Sequence, residues 1–448
     1  MSMDLAKQVY GEYKAYIDSH EEEMKAGAKI WRENLEHSAL FLKDHVISRP
    51  LMIPRLYTEE TIEHFKEIVG TTYGIFDKVI RRYLESAEYR KLFPYSKELE
   101  ELILAPTGCD CLLPLTRFDL FYHEDTGDFM FCEVNADGST GMDEDRIQDQ
   151  MMIHNPAHQE IIREHDLKTF ELFDSWVETF LRLYSTFPHR VEKPTVAIVD
   201  FIDKGIYKEF DEFCRRFQKH GVNCEVADIR KLEFKDGKLY SARGHEIHAI
   251  YRRAVTVEVL EHYDEIRPFI DAVLGGHVFM TGGFCTQIVH NKWIFKVLYD
   301  KETEAFLTEK EIDFIHRHIP GTRRFAEGST DINEVLSKKD SFILKPEDGY
   351  ASRGVLAGIK YDEKEWKRLA EEVYNSDYIC QDYCPQYKFE NIDYVYGDGK
   401  WHDYVSLAGL YVYGGKFAGV FARSARDTDV TIDYTGGERR QVTYLVRS

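Results

Sequence analysis

The sequence predicts an α/β (α+β) protein with a mainly helical N-terminal region, a small parallel β-α-β module and a C-terminal half built of strands, helices and hairpins. Three observations carry that prediction. Ile62, Phe65, Ile68, Val69, Phe76, Val79, Ile80, Tyr83 and Leu84 keep close to a 3.6-residue period, which places them on one face of a long helix. Lys193-Pro194 opens a run of strand, helix and strand over Thr195–Asp200, 206–219 and 221–227, and such a run implies a parallel sheet with a right-handed crossover. From about residue 275 the pattern changes again, to short apolar runs separated by glycine-containing turns.

Taken in order, residues 1–105 read as the helical region. Residues 106–190 read as a hairpin followed by packing helices, the last of them over 165–184 with Leu167, Phe170, Phe173, Trp176, Val177, Phe180 and Leu181 on one side. That aromatic stripe is core rather than a cofactor box. Residues 191–274 form the β-α-β module, with a turn at Lys235-Asp236-Gly237-Lys238 and a strand over 247–251 ending in Arg252-Arg253. Those arginines would bind a carboxylate or close a salt-bridged strand end, and both readings stand at this level. Residues 275–448 hold Asn291-Lys292 with a helix over 293–298, a helix over Glu309–His318, a helix over 362–374 and a strand over 378–383. Two hairpins follow, turning at Tyr396-Gly397-Asp398-Gly399 and at Gly414-Gly415. There is no internal repeat.

The densest chemistry lies in the hairpin. Arg117-Phe118-Asp119 sits in a strand run, Leu115–Tyr122, and Glu133-Val134-Asn135-Ala136-Asp137 follows a second run after the polar turn at residues 123–128. Residues two apart on a strand share a face, so Arg117 goes with Asp119 and Glu133 with Asn135. If the strands pair, one guanidinium, two carboxylates and an amide converge. Hard oxygen ligands at that density suit Mg²⁺, and the arginine suits an anion beside it. The alternative is a solvated edge hairpin.

Downstream, an apolar strand ends in Lys345-Pro346 and enters a loop with Gly349 and Gly354 before a second apolar run at 355–359. A lysine and a flexible glycine loop between strands make a flap whose N–H groups and ammonium can cover phosphates. The spacing is not that of a P-loop. An ordinary hairpin would carry the same residues.

Together these segments resemble the glutathionylspermidine synthetase family, whose signature reads Arg-Phe-Asp…Glu-x-Asn-Ala-Asp. Four further segments agree in the family's order across roughly 300 residues: Asn291-Lys292, Lys345-Pro346…Gly349…Gly354-Val355, the hinge-like 378–383 with Gln381 and Tyr383, and Ala418-Gly419…Arg423. The resemblance implies a circularly permuted ATP-grasp ligase. It implies Asp119, Glu133 and Asn135 as Mg²⁺ ligands, Lys292, Lys345, Gly349 and Gly354 around the phosphates of ATP, and Gln381 and Tyr383 at the adenine hinge. Arg423 would stabilise the transferring phosphoryl group, and Arg117 would orient the carboxylate. Family bifunctional members carry an amidase with a cysteine nucleophile; the first cysteine here is Cys109, beside the ligase signature, so that activity is expected to be missing. Two segments depart from the family pattern, Gly138-Ser139-Thr140-Gly141-Met142 and Gly436-Gly437-Glu438-Arg439-Arg440-Gln441, so ATP chemistry carries over better than substrate identity does.

Composition is that of a globular protein. The 448 residues are 43% hydrophobic and 31% charged, enough for two or three domains with sizeable cores. The net charge of −21 argues against nucleic acid as a partner. It would attract a polyamine or another cationic amine, or simply mark a soluble acidic protein. None of the eight cysteines forms a Cys-x-x-Cys pair, so structural zinc is not expected. The absence of an apolar run near 18 residues or of an N-terminal apolar segment leads to the expectation of a cytoplasmic protein without a membrane partner. The expected activity is ADP-forming ligation of a small-molecule carboxylate and amine. The alternatives are a peptide or amino-acid ligase using another substrate pair, and a nucleotide-binding protein without turnover.

Overall fold

The computed structural model describes residues 2–42, 45–202, 207–349, 353–427 and 438–447. Its centre is a six-stranded antiparallel sheet that joins distant parts of the chain. The strands run in the order Arg439–Gln441, Lys416–Arg426, Trp401–Tyr413, Leu115–Tyr122, Phe129–Asn135, and Tyr387–Ile392 pairs with the free half of Trp401–Tyr413. The hairpin read from residues 115–135 therefore exists, and it lies against C-terminal strands.

The helix read from the 3.6-residue period spans Glu59–Glu85, 27 residues or about 40 Å. It starts where the Thr58 side chain accepts the Thr61 N–H, an N-cap that satisfies one of the orphan donors of the first turn. Its buried face packs on the back of the hairpin: Phe65 meets Tyr122 at 4.8 Å between ring centroids and Phe76 meets Phe118 at 5.7 Å. Since Phe118 and Leu120 point to that face, Arg117 and Asp119 must point away from it.

The β-α-β unit forms as expected. Thr195–Asp200 pairs in parallel with Asn223–Asp228 and with Ala249–Arg252. A fourth parallel strand, Phe279–Thr281, continues this sheet beyond residue 274. A separate four-stranded antiparallel sheet runs Thr322–Arg324, Tyr378–Asp382, Phe342–Pro346, Leu356–Ala357. The turn at Asp236-Gly237 has positive φ at both residues (51° and 72°), as a two-residue hairpin joining Glu233–Lys235 to Lys238–Tyr240 requires.

One expected helix is shorter than its apolar stripe. Over 165–184 the helix covers only Phe173–Tyr184, while Asp166–Lys168 is a strand against Thr443–Arg447. The helix begins there because the Glu171 carboxylate accepts the N–H groups of Phe173, Asp174 and Ser175 at 2.8–2.9 Å. Leu167 and Phe170 thus belong to a different face. The remainder of the stripe is core: Trp176 and Phe180 are shut from solvent beside Tyr251, Tyr413 and Phe279. Among the described residues, no helix is long and apolar enough to cross a membrane.

Candidate functional site

The hairpin register places Arg117 opposite Asn135 and Asp119 opposite Glu133, with a bulge immediately after Asp119. All four side chains consequently share one face, as pairing requires. Beside them, Gly409 stands opposite Asp119 on the neighbouring strand. A Cβ there would lie 2.8 Å from both Arg117 Cδ and Asp119 Oδ1, so only glycine leaves room for this pair.

The four residues then separate by environment. Asp119 is fully buried: Arg117 donates to it through Nε at 2.7 Å and Nη2 at 3.0 Å, and Arg423 donates through Nη2 at 3.0 Å. Arg117 spends its remaining nitrogen, Nη1, on the Thr140 carbonyl at 3.0 Å and lies 4.1 Å over the Phe421 ring. Neither Arg117 nor Asp119 lines the adjacent cleft. Asn135 is half-buried, and its amide nitrogen is shut from solvent without a hydrogen-bond partner among the described residues.

Glu133 does open into a cleft. The cleft lies between the hairpin and the four-stranded sheet that carries the flap. Lys292 Nζ stands 3.7 Å from one Glu133 oxygen and Arg423 Nη2 stands 3.8 Å from the other. Burial alone would push the Glu133 carboxyl up, but the charges of Lys292, Arg423, Lys345 and Arg117 outweigh it and hold the group at about 2. Lys345 donates to Gln381 Oε1 at 2.8 Å and to the Cys132 carbonyl at 3.3 Å. Gln381 is itself fixed, since its Nε2 donates to Thr322 Oγ1 at 2.9 Å.

Of the residues expected in the site, Glu133, Lys292, Lys345, Gly349, Gln381, Tyr383 and Arg423 line this cleft together. Gly354 does not; it sits at the flap's base with φ +72°, where its carbonyl accepts from the Tyr378 hydroxyl at 3.1 Å. The flap strands pair as read, Ile343 with Ala357 and Leu344 with Leu356, while Tyr350, Ala351 and Ser352 lie outside the described residues. Lys292 anchors the flap's start, its N–H donating to the Glu347 carbonyl at 3.0 Å and its Nζ to the Gly349 carbonyl at 2.8 Å.

Sequence reasoning missed two features. The cleft wall is apolar, with Phe121, Phe131, Ile343 and Leu407, a signal present in the strand alternation but indistinguishable there from core. Behind Arg117 lies a second group of charges: Arg440 stacks 3.4 Å over the other partner of Arg117, Phe421, and donates to Glu144 at 2.8 Å. Asp145 beside it has both oxygens buried without hydrogen-bond partners, and burial pushes its carboxyl well up. Nothing local in the sequence links Arg440 to Glu144, 296 residues away. In the departing C-terminal segment, Gly436 and Gly437 lie outside the described residues.

Arg252 and Arg253 form a salt-bridged strand end. Arg252 pairs with Asp137 at 2.8 Å and Arg253 with Glu209 at 3.0 Å, all four buried. Asp137, the last residue of the signature, also accepts the Thr256 N–H at 2.7 Å and so ties the hairpin to the parallel sheet.

No protein-family model and no curated protein matches the chain. Among solved structures, a glutathione synthetase-like effector from Globodera pallida, in its apo form, superposes with a TM-score of 0.62 over 94% of this chain and 96% of that one, at 12% identity. A D-alanyl-alanine synthetase A from Vibrio cholerae aligns with a TM-score of 0.25 over 58% of this chain and 89% of that one, at 10% identity, a likeness too slight to carry an argument. The first likeness shows a shared overall fold, and the fold alone.

Proposed function

We propose that the protein is an ATP- and Mg²⁺-dependent carboxylate–amine ligase of the glutathionylspermidine synthetase type, with a circularly permuted ATP-grasp arrangement. The observation that carries this reading is the cleft at Glu133: an ionised carboxylate faced by Lys292, Lys345 and Arg423, beside a glycine loop tethered to Lys292.

That arrangement suits a nucleoside triphosphate. Lys292 and Lys345 would bind its phosphate oxygens as point charges, and Arg423 would face the transferring phosphoryl group. The apolar wall and the backbone of the hinge around Gln381 and Tyr383 would take the base. For Mg²⁺ the donor set fits in part as it stands. Glu133 is ionised and open, whereas the unmet group of Asn135 is its NH2, a donor suited to a phosphate oxygen, so Asn135 would meet the ion only through its amide oxygen. Asp119 would join them by exchanging contacts with both arginines for the ion, since Arg117 holds its two oxygens and Arg423 one of them. Bound there, Mg²⁺ would neutralise phosphate charge and fix its orientation.

Phosphorylation would convert an unreactive carboxylate into an acyl phosphate, which an amine can attack with phosphate as leaving group. An acyl phosphate hydrolyses readily, so the flap's role is to keep water out during the interval. Arg117 is better placed as a positioning residue than as a substrate contact, because each of its nitrogens already has a partner.

The test is coupling. ADP release should stay near background with ATP alone and rise when the right carboxylate and amine are both present. Carboxylates (glutathione, γ-glutamyl peptides, amino acids) crossed with amines (spermidine, putrescine, amino acids) would be screened for ADP and for amide mass. An amide from another substrate pair would make it a peptide or amino-acid ligase. Nucleotide binding with no amide from the whole panel would overturn the ligase reading.

A further inference from the structure

Two thiols away from the cleft stand in contact. Cys214 lies on the helix Tyr207–Lys219 and Cys224 on the strand Asn223–Asp228, and their sulfurs are 3.3 Å apart. Local geometry brings them together. Phe213 and Phe217 hold the helix against Phe173 and Phe180, with ring centroids 4.6 and 5.0 Å apart, and Cys214 is half-buried at the edge of that apolar face. The helix ends at Gly221, φ +76°, where the Gly221 N–H donates to the Gln218 carbonyl at 2.9 Å and the Val222 N–H to the Phe217 carbonyl at 3.0 Å. That turn sends the strand back along the helix. Cys214 precedes Gly221 by seven residues, about 10 Å of helix, and Cys224 follows it by three, about 10 Å of strand. The two side chains therefore arrive at the same height. The strand is an edge of the parallel sheet, and Cys224 is half-buried like its partner.

We propose that Cys214 and Cys224 form a redox-modification site, at which a small-molecule disulfide oxidises the two thiols to an intramolecular disulfide bond. Bonded sulfurs stand about 2.05 Å apart, so each sulfur need travel only about 0.6 Å. The contact also sets the order of attack. The hydrogen bond with Cys214 and burial push the Cys224 thiol well up, so Cys224 keeps its proton and Cys214 attacks first. The Cys214 thiolate displaces one thiolate from the small disulfide and forms a mixed disulfide. Cys224 then gives its proton to solvent and attacks the Cys214 sulfur, displacing the second thiolate. Each departing thiolate takes up a proton. Two electrons pass from the protein to the small disulfide, which leaves as two thiols, and an excess of reducing thiol reverses both steps.

The bond would fasten the helix to the sheet. The same helix carries Glu209, which accepts the N–H groups of Gly141 and Asp143 at 3.2 Å and pairs with Arg253 at 3.0 Å. The tie thus bears on the segment whose Thr140 carbonyl accepts from Arg117.

The full chain would be incubated with bis(2-hydroxyethyl) disulfide, alkylated with iodoacetamide and digested with trypsin. Cleavage at Arg215, Arg216 and Lys219 separates the two cysteines, so the bond shows as a linked pair of peptides that dithiothreitol releases. Most chains should carry it, with the remaining cysteines alkylated. In the oxidised form, backbone amides between the two cysteines should exchange with solvent roughly tenfold more slowly. Cys224→Ser should stop at one mixed disulfide, on Cys214. The proposal is overturned if Cys214 and Cys224 are both recovered alkylated from the treated native chain. It is equally overturned if either is found linked to other cysteines as often as to its neighbour, or if Cys214 stays unmodified in Cys224→Ser.

Discussion

Asp119 and Glu133 stand directly opposite one another across the hairpin, yet Asp119 is fully buried between two arginines while Glu133 opens into the cleft. Both read as ligands rather than core in the sequence; in the structure Glu133 alone of the two reaches the cleft. The neighbours of Asp119, Arg117 and Arg423, would each lose a charge partner if it were neutralised.

The two carboxylates should therefore respond differently to removal of charge. Asp119→Asn takes from the buried Arg117 its ion-pair partner and from Arg423 the nearer of two, and is expected to cost about 3–5 kcal/mol, read as a fall in Tm. Glu133→Gln should leave Tm within a few degrees and lower nucleotide turnover by roughly a hundredfold or more. Equal melting temperatures for the two variants would contradict the assignment of separate roles.

Metal removal tests the cleft's electrostatics. Lys292, Lys345, Arg353 and Arg423 outnumber the two carboxylates of the lining, Glu133 and Asp382, so ADP should still bind in EDTA. Without Mg²⁺ its affinity is expected to fall roughly tenfold, about 1.4 kcal/mol. Calorimetry with and without Mg²⁺ decides it; the same Kd in both would remove Glu133 and Asn135 as metal ligands.

Gln381 holds Lys345 in place through a neutral contact. Gln381→Glu turns that contact into an ion pair and spends the lysine's charge inside the protein. ADP affinity should drop roughly tenfold with little change in Tm. An unchanged Kd would show that Lys345 does not meet phosphate.

Gly141 has φ +106°, and a Cβ there would stand 2.2 Å from Phe421, the ring against which Arg117 and Arg440 stack. Gly141→Ala combines a strained backbone with displacement of that ring. A loss of about 3 kcal/mol or more is expected by denaturant titration. A wild-type midpoint would mean that Phe421 can move freely.

His158 offers a pH test remote from the cleft. Burial lowers its pKa to about 4, from an ordinary value of 6.5, with the Tyr13 hydroxyl 2.6 Å from Nδ1. The native state thus takes up its proton later than the unfolded chain does. The stability that comes from the neutral ring is complete above about pH 6.5 and is lost progressively as pH falls to about 4. The fall in Tm between pH 7 and 4 should be shallower in His158→Gln than in wild type. Parallel curves would show that His158 titrates normally.

Much of this molecule was legible in the sequence because the signals were local. The 3.6-residue period marked the helix Glu59–Glu85, strand and turn residues marked the hairpin, and Lys345 with its glycines marked a flap; the helix and the hairpin form, and the two strands flanking the flap loop pair. Seven of the eleven expected site residues line one cleft; Glu133, Lys345, Gln381 and Arg423 among them sit on strands whose direction their own neighbours set. Other outcomes depended on partners far along the chain. Asp119 is buried because Arg423, 304 residues away, closes over it beside Gly409. Asp166–Lys168 is a strand because Thr443–Arg447 offers it an edge, and Arg252 and Arg253 are structural because Asp137 and Glu209 meet them. Local periodicity determines which face a side chain takes. Whether that face meets solvent, a counter-ion or a cleft is set by backbone pairing and burial between segments that sequence proximity does not connect.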